Sequence, residues 1–541
     1  MSRLHMLSVG VLLSLSCMDG ARKRPVDAGL EPPPTGGAGA GTGGAKPSGL
    51  GGTGGSMKDA AADTGGAGGE STGGASGMGG ADAAVAEARP DARPDAPRDT
   101  ARLDAPPPSP PPAAVAPVPT ADQIAWHRLG LTAFFHFGMN TFTNDEVGDG
   151  NASPDTFNPS GLDTKQWVDA LVGAGFKQGT LVAKHHDGFC LWQTKCSQYG
   201  VAESSWKGGK GHVVKEFTDA AHAAKFRVGL YLSPLDNHAA DSSSSPDYGA
   251  KFRCWVDELL TNYGRVDEIW FDGNGAPSSV NAALYAHIKQ LQPHVVIFTG
   301  PEIAAAGADL RWVGNEGGYA PQGESSVQQL GGKTIWYPSE SDTSIRPGWF
   351  YHPDQDGSVK SLAQLTKVFF ETVGRNSVLI LNVPPDKVGV LPAPDVARLG
   401  QLGASLRNLF TTNVAAGKSA TAESSHHDRD YGPQKALDGN LDTFWAAAAG
   451  QTSGRLEVDL GGAFTVRIVD LAEPIALGER SRKYHVEIQK PGETTWTTVG
   501  TGTAIGQRNL LRLEPAQMAE KVAVVIEEAR GAPALAELGV Y

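Results

Sequence analysis

The chain has 541 residues, more than one compact domain usually holds, and most of the excess among its 69 glycines and 36 prolines lies in one N-terminal tract. A net charge of −13 with scattered lysines argues against nucleic acid as a partner. Four cysteines are too few for a disulfide framework, and no CxxC or His/Cys spacing indicates a zinc site. These features together predict a multidomain protein outside the nucleic-acid-binding and zinc-binding classes.

Residues 1–24 have the pattern of a secretory signal peptide. Arg3 precedes an apolar run over residues 7–15, which is too short to span a membrane. Cys17 follows Ser14-Leu-Ser in a pattern that resembles a bacterial lipoprotein processing site, although an aliphatic residue is usual at position 14. Lipidation of Cys17 and conventional cleavage nearby both stay open. We expect an exported protein that is secreted, periplasmic or lipid-anchored at the cell surface, with a lipidated Cys17 as its one means of membrane attachment.

Residues 25–119 have the composition of a linker. The first part is rich in Gly, Ala and Thr, and the second is a stretch of Asp, Arg, Pro and Ala. Such a composition offers too little apolar surface to form a core, so we expect a disordered tether that becomes stiffer towards its proline-rich end.

Residues 120–411 alternate between apolar runs and amphipathic stretches. The apolar runs that end in titratable groups cover residues 131–138, 179–188 and 266–272. The amphipathic stretches between strands include residues 165–173, 212–223 and 251–263. This rhythm predicts parallel strands alternating with helices, in an α/β fold of the (β/α)8 barrel type. Because such barrels build their active site at the carboxyl ends of the strands, we expect one pocket lined by His136, His185, His186, Tyr231, Trp270, Asp272 and Glu316.

Three cysteines, Cys190, Cys196 and Cys254, lie within the predicted barrel. Pairing of Cys190 with Cys196 in an oxidising compartment is one interpretation. A buried free thiol is the other, and the sequence leaves both open.

Two carboxylates stand at breaks in apolar runs and are suited to glycoside hydrolysis. Asp272 ends the run Ile-Trp-Phe-Asp before a glycine, and Glu316 follows Leu310-Arg-Trp-Val within a glycine-rich break. One carboxylate of such a pair can attack the anomeric carbon while the other protonates the leaving oxygen. An Asp before Gly alone would more often be a turn residue or a helix cap, so this interpretation depends on the neighbouring motifs.

Those motifs, spread over residues 121–410, resemble glycoside hydrolase family 29, the α-L-fucosidases. The runs that carry the resemblance are Trp126-His-Arg-Leu-Gly, Phe135-His-Phe-Gly, Lys184-His-His-Asp-Gly-Phe, Val228-Gly-Leu-Tyr-Leu-Ser, Glu268-Ile-Trp-Phe-Asp-Gly and Asn376-Ser-Val-Leu-Ile-Leu-Asn-Val-Pro-Pro. The resemblance implies that Asp272 is the nucleophile and that catalysis needs no cofactor. It also implies a set of residues that bind the fucose ring and its hydroxyls, namely His136, Glu146, His185, His186, Tyr231, Trp270 and Arg346.

The resemblance also bears on the acid/base and on linkage. Residues 311–320 are similar to the subfamily that acts on α-1,3 and α-1,4 fucosyl branches, which favours Glu316 as the acid/base. Glu302 and Glu340 are the competing candidates, and Glu340 is also interpreted as a pocket or supporting residue. One departure is Val147, which stands where a Trp commonly follows the Glu of the family; its loss is expected to weaken stacking against the ring by roughly 1 kcal/mol or more, or to shift specificity.

Residues 412–541 change to short alternating strands with frequent turns, which predicts an all-β sandwich of the jelly-roll type. The runs Ala436-Leu-Asp-Gly-Asn-Leu-Asp-Thr-Phe-Trp, Leu456-Glu-Val-Asp-Leu-Gly and Ala536-Glu-Leu-Gly-Val-Tyr resemble a discoidin, or F5/8 type C, domain of the kind used as a family 32 carbohydrate-binding module. The resemblance implies a structural Ca²⁺ held by Asp438, Asp442, Thr443 and Glu537, because calcium requires hard oxygen ligands. A turn capped by its own side chains is the alternative.

Three functional hypotheses follow. The first is an exported, retaining exo-α-L-fucosidase that removes α-1,3/1,4-linked fucose from fucosylated oligosaccharides or glycoconjugates. The second is a broad fucosidase that also accepts α-1,2 links. The third is an inactive surface lectin that binds fucosylated glycans, against which stands the retention of both Asp272 and Glu316.

Overall fold

The computed structural model describes residues 107–239, 246–273, 280–300 and 307–541. The predicted signal peptide, Cys17, most of the predicted linker and Glu302 lie outside these residues. Within them, no helix is both long and apolar enough to cross a membrane.

Eight parallel strands close into a barrel, which confirms the predicted α/β fold. Their order in the chain is β1 (Leu131–Phe135), β2 (Gln178–Lys184), β3 (Arg227–Leu232), β4 (Glu268–Phe271), β5 (Val296–Thr299), β6 (Leu310–Trp312), β9 (Ser339–Ser344) and β10 (Val378–Asn382). Sequence neighbours pair along the barrel, and β10 closes it by pairing with β1 in the register Leu131↔Leu379. The strands carry apolar runs because both of their faces are covered.

Helices surround the barrel. They are α1 (Ala121–His127), α2 (Met139–Thr143), α3 (Thr164–Ala174), α4 (Val213–Ala223), α5 (Pro246–Thr261), α6 (Ala282–Leu291), α7 (Leu362–Glu371) and α8 (Ala393–Leu409). The described connection from β6 to β9 holds an antiparallel hairpin, β7 (Val327–Leu330) and β8 (Lys333–Trp336), instead of a helix. A cluster of buried apolar residues from α3, α4, α5 and the outward faces of the strands forms the main core.

A disulfide joins Cys196 to Cys254, with a Cα–Cα distance of 6.1 Å. It links the chain that follows β2 to α5. Cys190 is a buried free thiol. The expectation of a Cys190–Cys196 bond is therefore wrong, and the alternative of a buried thiol describes Cys190. The sequence hid this pairing because the partner of Cys196 lies 58 residues away on a neighbouring helix.

The C-terminal domain is antiparallel throughout, which confirms the all-β prediction. Its strands are β11 (Ser419–Ala422), β12 (Trp445–Ala446), β13 (Gly454–Ala472), β14 (Ser481–Gln489), β15 (Trp496–Gly502), β16 (Asn509–Ala529), β17 (Ala534–Leu535) and β18 (Glu537–Val540), with a one-turn helix α9 (Asp428–Tyr431). A six-stranded sheet holds all of these strands except β12 and β17, which pair with each other. Its own core includes Trp445, which is fully buried.

Residues 107–119, the end of the predicted linker, contact the C-terminal domain. The Ser109 N–H donates to the Asp430 carboxylate at 2.8 Å, and the Val115 N–H donates to the Leu477 carbonyl at 2.8 Å. Arg480, which is 1% exposed, donates to the Ala113 carbonyl at 2.6 Å. These hydrogen bonds hold residues 107–119 on the surface of the C-terminal domain, so the expected disordered tether does not extend through them.

Candidate active site

Asp272 lies directly after β4, at the carboxyl end of the barrel strands. Its Oδ2 accepts a hydrogen bond from the Tyr231 hydroxyl at 2.9 Å, and His186 Nε2 lies 3.6 Å from the same oxygen. The side chain of Asp272 is 24% exposed, so part of the carboxylate faces solvent. Burial and the Asp272 charge raise the pKa of Tyr231 well above its usual value, so this phenol stays a donor. The carboxylate is thus oriented by Tyr231 and partly exposed to solvent, as a nucleophile requires.

Hydrogen bonds at Nδ1 fix the tautomers of two histidines. His136 Nδ1 lies 2.8 Å from Asn382 Oδ1, and the Asn382 amide nitrogen donates to the Trp349 carbonyl at 2.7 Å. Because that amide orientation makes Oδ1 an acceptor, His136 carries its proton on Nδ1. His186 Nδ1 lies 2.7 Å from Ser233 Oγ, whose hydroxyl donates to the Leu235 carbonyl, so His186 is also protonated on Nδ1. Both rings therefore present Nε2 as an acceptor for a hydroxyl.

Burial keeps the three histidines neutral. It lowers the pKa of His136 to about 3 and the pKa of His185 well below its usual value. It also lowers the pKa of His186, although the Asp272 charge acts in the opposite direction. His185 Nδ1 lies 3.3 Å from the Asn140 amide nitrogen, which holds the ring in place. Neutral imidazoles can accept hydrogen bonds from sugar hydroxyls and donate hydrogen bonds to them, without adding charge to the site.

Aromatic rings form one wall of the site. The Trp270 indole is 7% exposed, stacks on Phe298 with ring centroids 4.1 Å apart, and lies 5.2 Å from the Tyr231 ring. Its N–H donates to Glu340 Oε2 at 2.9 Å. The Trp349 ring lies 5.1 Å from His136 on another side of the site. Apolar ring faces beside neutral imidazoles suit a sugar that carries both hydroxyls and a methyl group.

Glu316 lies in the loop after β6, on the exposed rim of the barrel. Trp349 Nε1 donates to its Oε2 at 3.3 Å. Partial desolvation, together with the charges of Asp272 and Glu146, raises the pKa of Glu316 above its usual value. An exposed carboxyl whose pKa is raised by partial desolvation and by a neighbouring carboxylate is suited to general acid and base chemistry.

Glu146 and Arg346 hold the loop that carries Trp349. Glu146 Oε1 lies 2.5 Å from His352 Nε2, and its Oε2 accepts from the Trp349 N–H at 2.9 Å. Arg346 is fully buried and donates to Asp395 at 2.7 Å and to Asp356 at 2.9 Å. The structure therefore gathers Glu146 at the pocket edge, whereas the Arg346 guanidinium is bound to carboxylates beneath the loop.

The remaining candidate acid described by the structure is Glu340, which is 1% exposed and bound to the Trp270 indole. Burial and the charge of Glu268 raise its pKa well above the usual value. Its position inside the barrel matches the interpretation of a supporting residue. Val147 is 41% exposed next to Glu146.

Sequence reasoning missed the residues that hold the histidines and Glu316. Asn382 ends β10 and Ser233 follows β3, so both are polar residues at the carboxyl end of an apolar strand. That signal selected Asp272 and could have selected them. Trp349 lies in an irregular loop, and its contact with Glu316 has no counterpart in the sequence pattern.

In the C-terminal domain, three of the four predicted calcium ligands meet at one loop. The Thr443 hydroxyl donates to the Asp438 carboxylate at 2.7 Å, and Glu537 Oε2 accepts from the Gly439 N–H at 3.1 Å. Burial and the charges of Asp470 and Asp438 raise the pKa of Glu537 to about 7. Asp442 instead pairs with Arg128 of the barrel at 2.7 Å. Asp438, Thr443 and Glu537 thus bring oxygen donors of the kind that calcium requires close together, whereas the Asp442 carboxylate is paired with Arg128.

Comparison with known proteins identifies the families of both domains. Residues 128–409 match the family model described as alpha-L-fucosidase, and residues 419–538 match the F5/8 type C domain. Alpha-L-fucosidase 1 of Arabidopsis thaliana is 35% identical over 451 residues, which are 79% of this chain and 88% of the plant protein.

Solved structures give the same result. A candidate α-L-fucosidase from Bacteroides thetaiotaomicron has a TM-score of 0.75 at 34% identity, covering 79% of this chain and 98% of the other. A Ruminococcus gnavus GH29 fucosidase in complex with fucose has a TM-score of 0.74 at 29% identity, covering 80% and 96%. The chain belongs to the α-L-fucosidase family, glycoside hydrolase family 29, and is an α-L-fucosidase whose barrel precedes an F5/8 type C domain.

Proposed function

We propose that this fucosidase works with retention of anomeric configuration, through a covalent intermediate on Asp272. The Asp272 carboxylate attacks C1 of the fucosyl residue, the bond from C1 to the leaving oxygen breaks, and Glu316 gives that oxygen its proton. Water then attacks C1, Glu316 accepts the proton of the water, and the ester bond to Asp272 breaks. Atoms and charges return to the starting state, and the product is fucose.

The observation that supports this mechanism best is the contrast between the two carboxyls. Asp272 is oriented by Tyr231 and lies near His186, whereas Glu316 is exposed on a loop with a raised pKa. One group is thus held for attack and the other can exchange protons with a leaving group or with water. Retention is tested by following the first product with NMR, where α-fucose supports the mechanism and β-fucose contradicts it.

The substrate that we propose is terminal fucose in α-1,3 or α-1,4 linkage on branched glycans. Glu316 supports this proposal because it lies in the loop that resembles the corresponding subfamily. Fucose release from a Lewis-type trisaccharide and from 2′-fucosyllactose, measured side by side, tests it. Release from the first alone supports the branched-linkage proposal, and release from both favours the broad enzyme that also accepts α-1,2 links.

Release from neither substrate would favour the inactive lectin and would make Val147 the next residue to change. A 2-deoxy-2-fluoro fucoside separates the lectin from an enzyme directly. An enzyme is labelled covalently on Asp272, whereas a lectin binds the compound reversibly.

We propose that the protein is exported. Residues 1–24 have the signal pattern, and the Cys196–Cys254 bond is of a kind that persists in oxidising compartments. Mass spectrometry of the protein made by its own host tests the two N-terminal fates. A diacylglycerol mass on Cys17 supports lipid anchoring, and an unmodified mature N-terminus supports secretion or a periplasmic location.

We also propose a structural Ca²⁺ held by Asp438, Thr443 and Glu537, whose oxygen ligands suit that ion. Burial and the charges of Asp470 and Asp438 raise the pKa of Glu537, an effect that a bound cation would oppose. Ca²⁺ at about 100 times its Kd would stabilise the domain by about 2.7 kcal/mol. A chelator should therefore lower the melting temperature of the wild type and leave that of Asp438→Asn unchanged; an equal response of both would contradict the site.

A further inference from the structure

Strand β9 places two carboxyl side chains inside the barrel, beneath the site. Glu340 and Asp342 are 1% and 6% exposed. Each accepts a hydrogen bond from an indole, Trp270 to Glu340 at 2.9 Å and Trp312 to Asp342 at 2.8 Å. The first indole belongs to the wall of the sugar site. The second has no part in the mechanism above, yet it is attached to the chain that leads to Glu316.

Trp312 is the last residue of β6, so its position decides how the chain leaves the barrel. It pairs in register with Glu340, and the Val313 N–H donates to the Glu340 carbonyl at 2.9 Å. Glu316 follows in the loop that begins there. An indole fixed from β9 therefore fixes the start of the loop that carries the acid/base.

Nearby acids oppose the ionisation of Asp342. Burial and the negative charges of Glu316 and Asp272 raise its pKa to about 8, and Glu340 shares the same strand. The raised pKa favours the protonated, neutral form of this carboxyl. In the protonated form, Oδ1 accepts from the Trp312 indole and leaves Oδ2 to carry the proton.

We propose that Asp342 is a positioning residue for the fucosidase reaction, a neutral carboxyl that fixes Trp312 and with it the start of the Glu316 loop. An ionised carboxyl could accept the same hydrogen bond, but it would place a further negative charge near Asp272. The neutral form holds the indole without that cost. This inference rests on the proposed role of Glu316.

The experiment compares Asp342→Asn, Asp342→Ala and Trp312→Phe in the full chain, with release of fucose from a Lewis-type trisaccharide at pH 6. Asn keeps an acceptor for the indole and cannot ionise, so its kcat/KM should stay within about threefold of the wild type. Asp342→Ala and Trp312→Phe each lose the hydrogen bond and should lose at least about tenfold. The double variant Asp342→Ala/Trp312→Phe should be no worse than either single variant, because both remove one interaction.

A second substrate separates positioning of Glu316 from general damage. An aryl fucoside with a good leaving group needs little protonation, so Asp342→Ala should lose less activity on it than on the trisaccharide. Equal loss on both would overturn the proposal. Glu473→Gln, which alters a carboxyl buried in the C-terminal domain, is the matched control and should leave kcat/KM unchanged on both substrates.

Thermal melting tests the neutral state independently of activity. The folded pKa of Asp342, about 8, lies above its ordinary value of 3.8, so its contribution to stability is present at low pH and is lost as the pH rises through that window. The melting temperature of Asp342→Asn should therefore rise relative to that of the wild type as the pH increases from 4 to 8. A constant difference would overturn the proposal.

The outcomes also separate this inference from the proposed function. If the wild type releases no fucose from either substrate, both the proposed function and this inference are contradicted. A wild type that is active while Asp342→Asn falls as far as Asp342→Ala at pH 6 keeps the fucosidase mechanism. That result would show that the charge or proton of Asp342 itself is used, and it would overturn the positioning role.

Discussion

Asp272 and Glu316 differ in how the fold holds them. Asp272 follows a buried barrel strand and is oriented by Tyr231, whose own strand β3 pairs with β4. Glu316 lies on an exposed loop and is held by one hydrogen bond, from Trp349 on a second loop. In the proposed mechanism the attacking group needs a fixed position relative to C1, whereas the acid/base must reach a leaving group that varies with the substrate. The difference implies that the barrel sets the chemistry and that the loops set which leaving groups are accepted.

Replacing Asp272 with Ala should produce the largest effect. We expect kcat/KM to fall by about 10^4-fold or more on every substrate, because no covalent intermediate can form. The measurement is fucose release from both an aryl fucoside and a trisaccharide. The melting temperature should change little, since the carboxylate is partly exposed. Substantial residual activity would mean that another group attacks C1.

Replacing Glu316 with Ala should distinguish substrates. We expect a loss of about 10^2- to 10^4-fold on the trisaccharide and a much smaller loss on an aryl fucoside, because only the first needs a proton on its leaving oxygen. Glu203→Ala, which removes an exposed carboxylate elsewhere in the barrel, is the control and should behave as wild type. An equal loss on both substrates would refute the acid role.

Replacing Cys196 and Cys254 with Ser tests how much their disulfide stabilises the barrel. The bond closes a loop of 58 residues between the region after β2 and α5, so its removal should lower the free energy of unfolding by about 2 to 5 kcal/mol. Denaturant unfolding of wild type and variant measures this. Cys190→Ser, which alters the free thiol, is the companion variant. A reduced wild type as stable as the oxidised one would show that the bond contributes nothing.

Replacing Trp349 with Phe should have the smallest effect, because it changes only the environment of Glu316 on its loop. The indole hydrogen bond lowers the pKa of Glu316, so its loss should raise that pKa further. The protonated form of Glu316 then persists to higher pH, and the alkaline limb of the kcat/KM profile should move to higher pH. A pH profile from pH 4 to 9 measures the shift. A limb that moves to lower pH would contradict the contact.

The sequence predicted the barrel strands, which follow from hydrophobic periodicity, and the site residues that lie at strand ends. Apolar runs that end in polar groups located β1, β2 and β4 and selected Asp272 and the histidines, because barrel strands deliver their last residues to one face. The resemblance to a family favoured Glu316 as the acid/base and added Glu146. Neither route could reveal that Arg346 binds Asp395 and Asp356, since both partners come close only through tertiary packing.

The same limit explains the other differences. Cys196 pairs with Cys254 across two elements, and spacing within the chain favoured a nearer partner. Asp442 occupies a loop that matches the calcium-binding resemblance, but Arg128 of the barrel binds its carboxylate. A sequence pattern within one segment cannot predict a contact between the two domains, such as the pair of Arg128 and Asp442.

The segment before the barrel has a practical consequence for truncation. Arg480 is buried, and one of its N–H groups is satisfied by the Ala113 carbonyl, while another binds Ala532. A protein shortened to begin at residue 120 would leave that N–H without its acceptor and uncover the Leu477 carbonyl. Residues 107–119 are thus part of the folded body, and a minimal stable enzyme should begin ahead of residue 107.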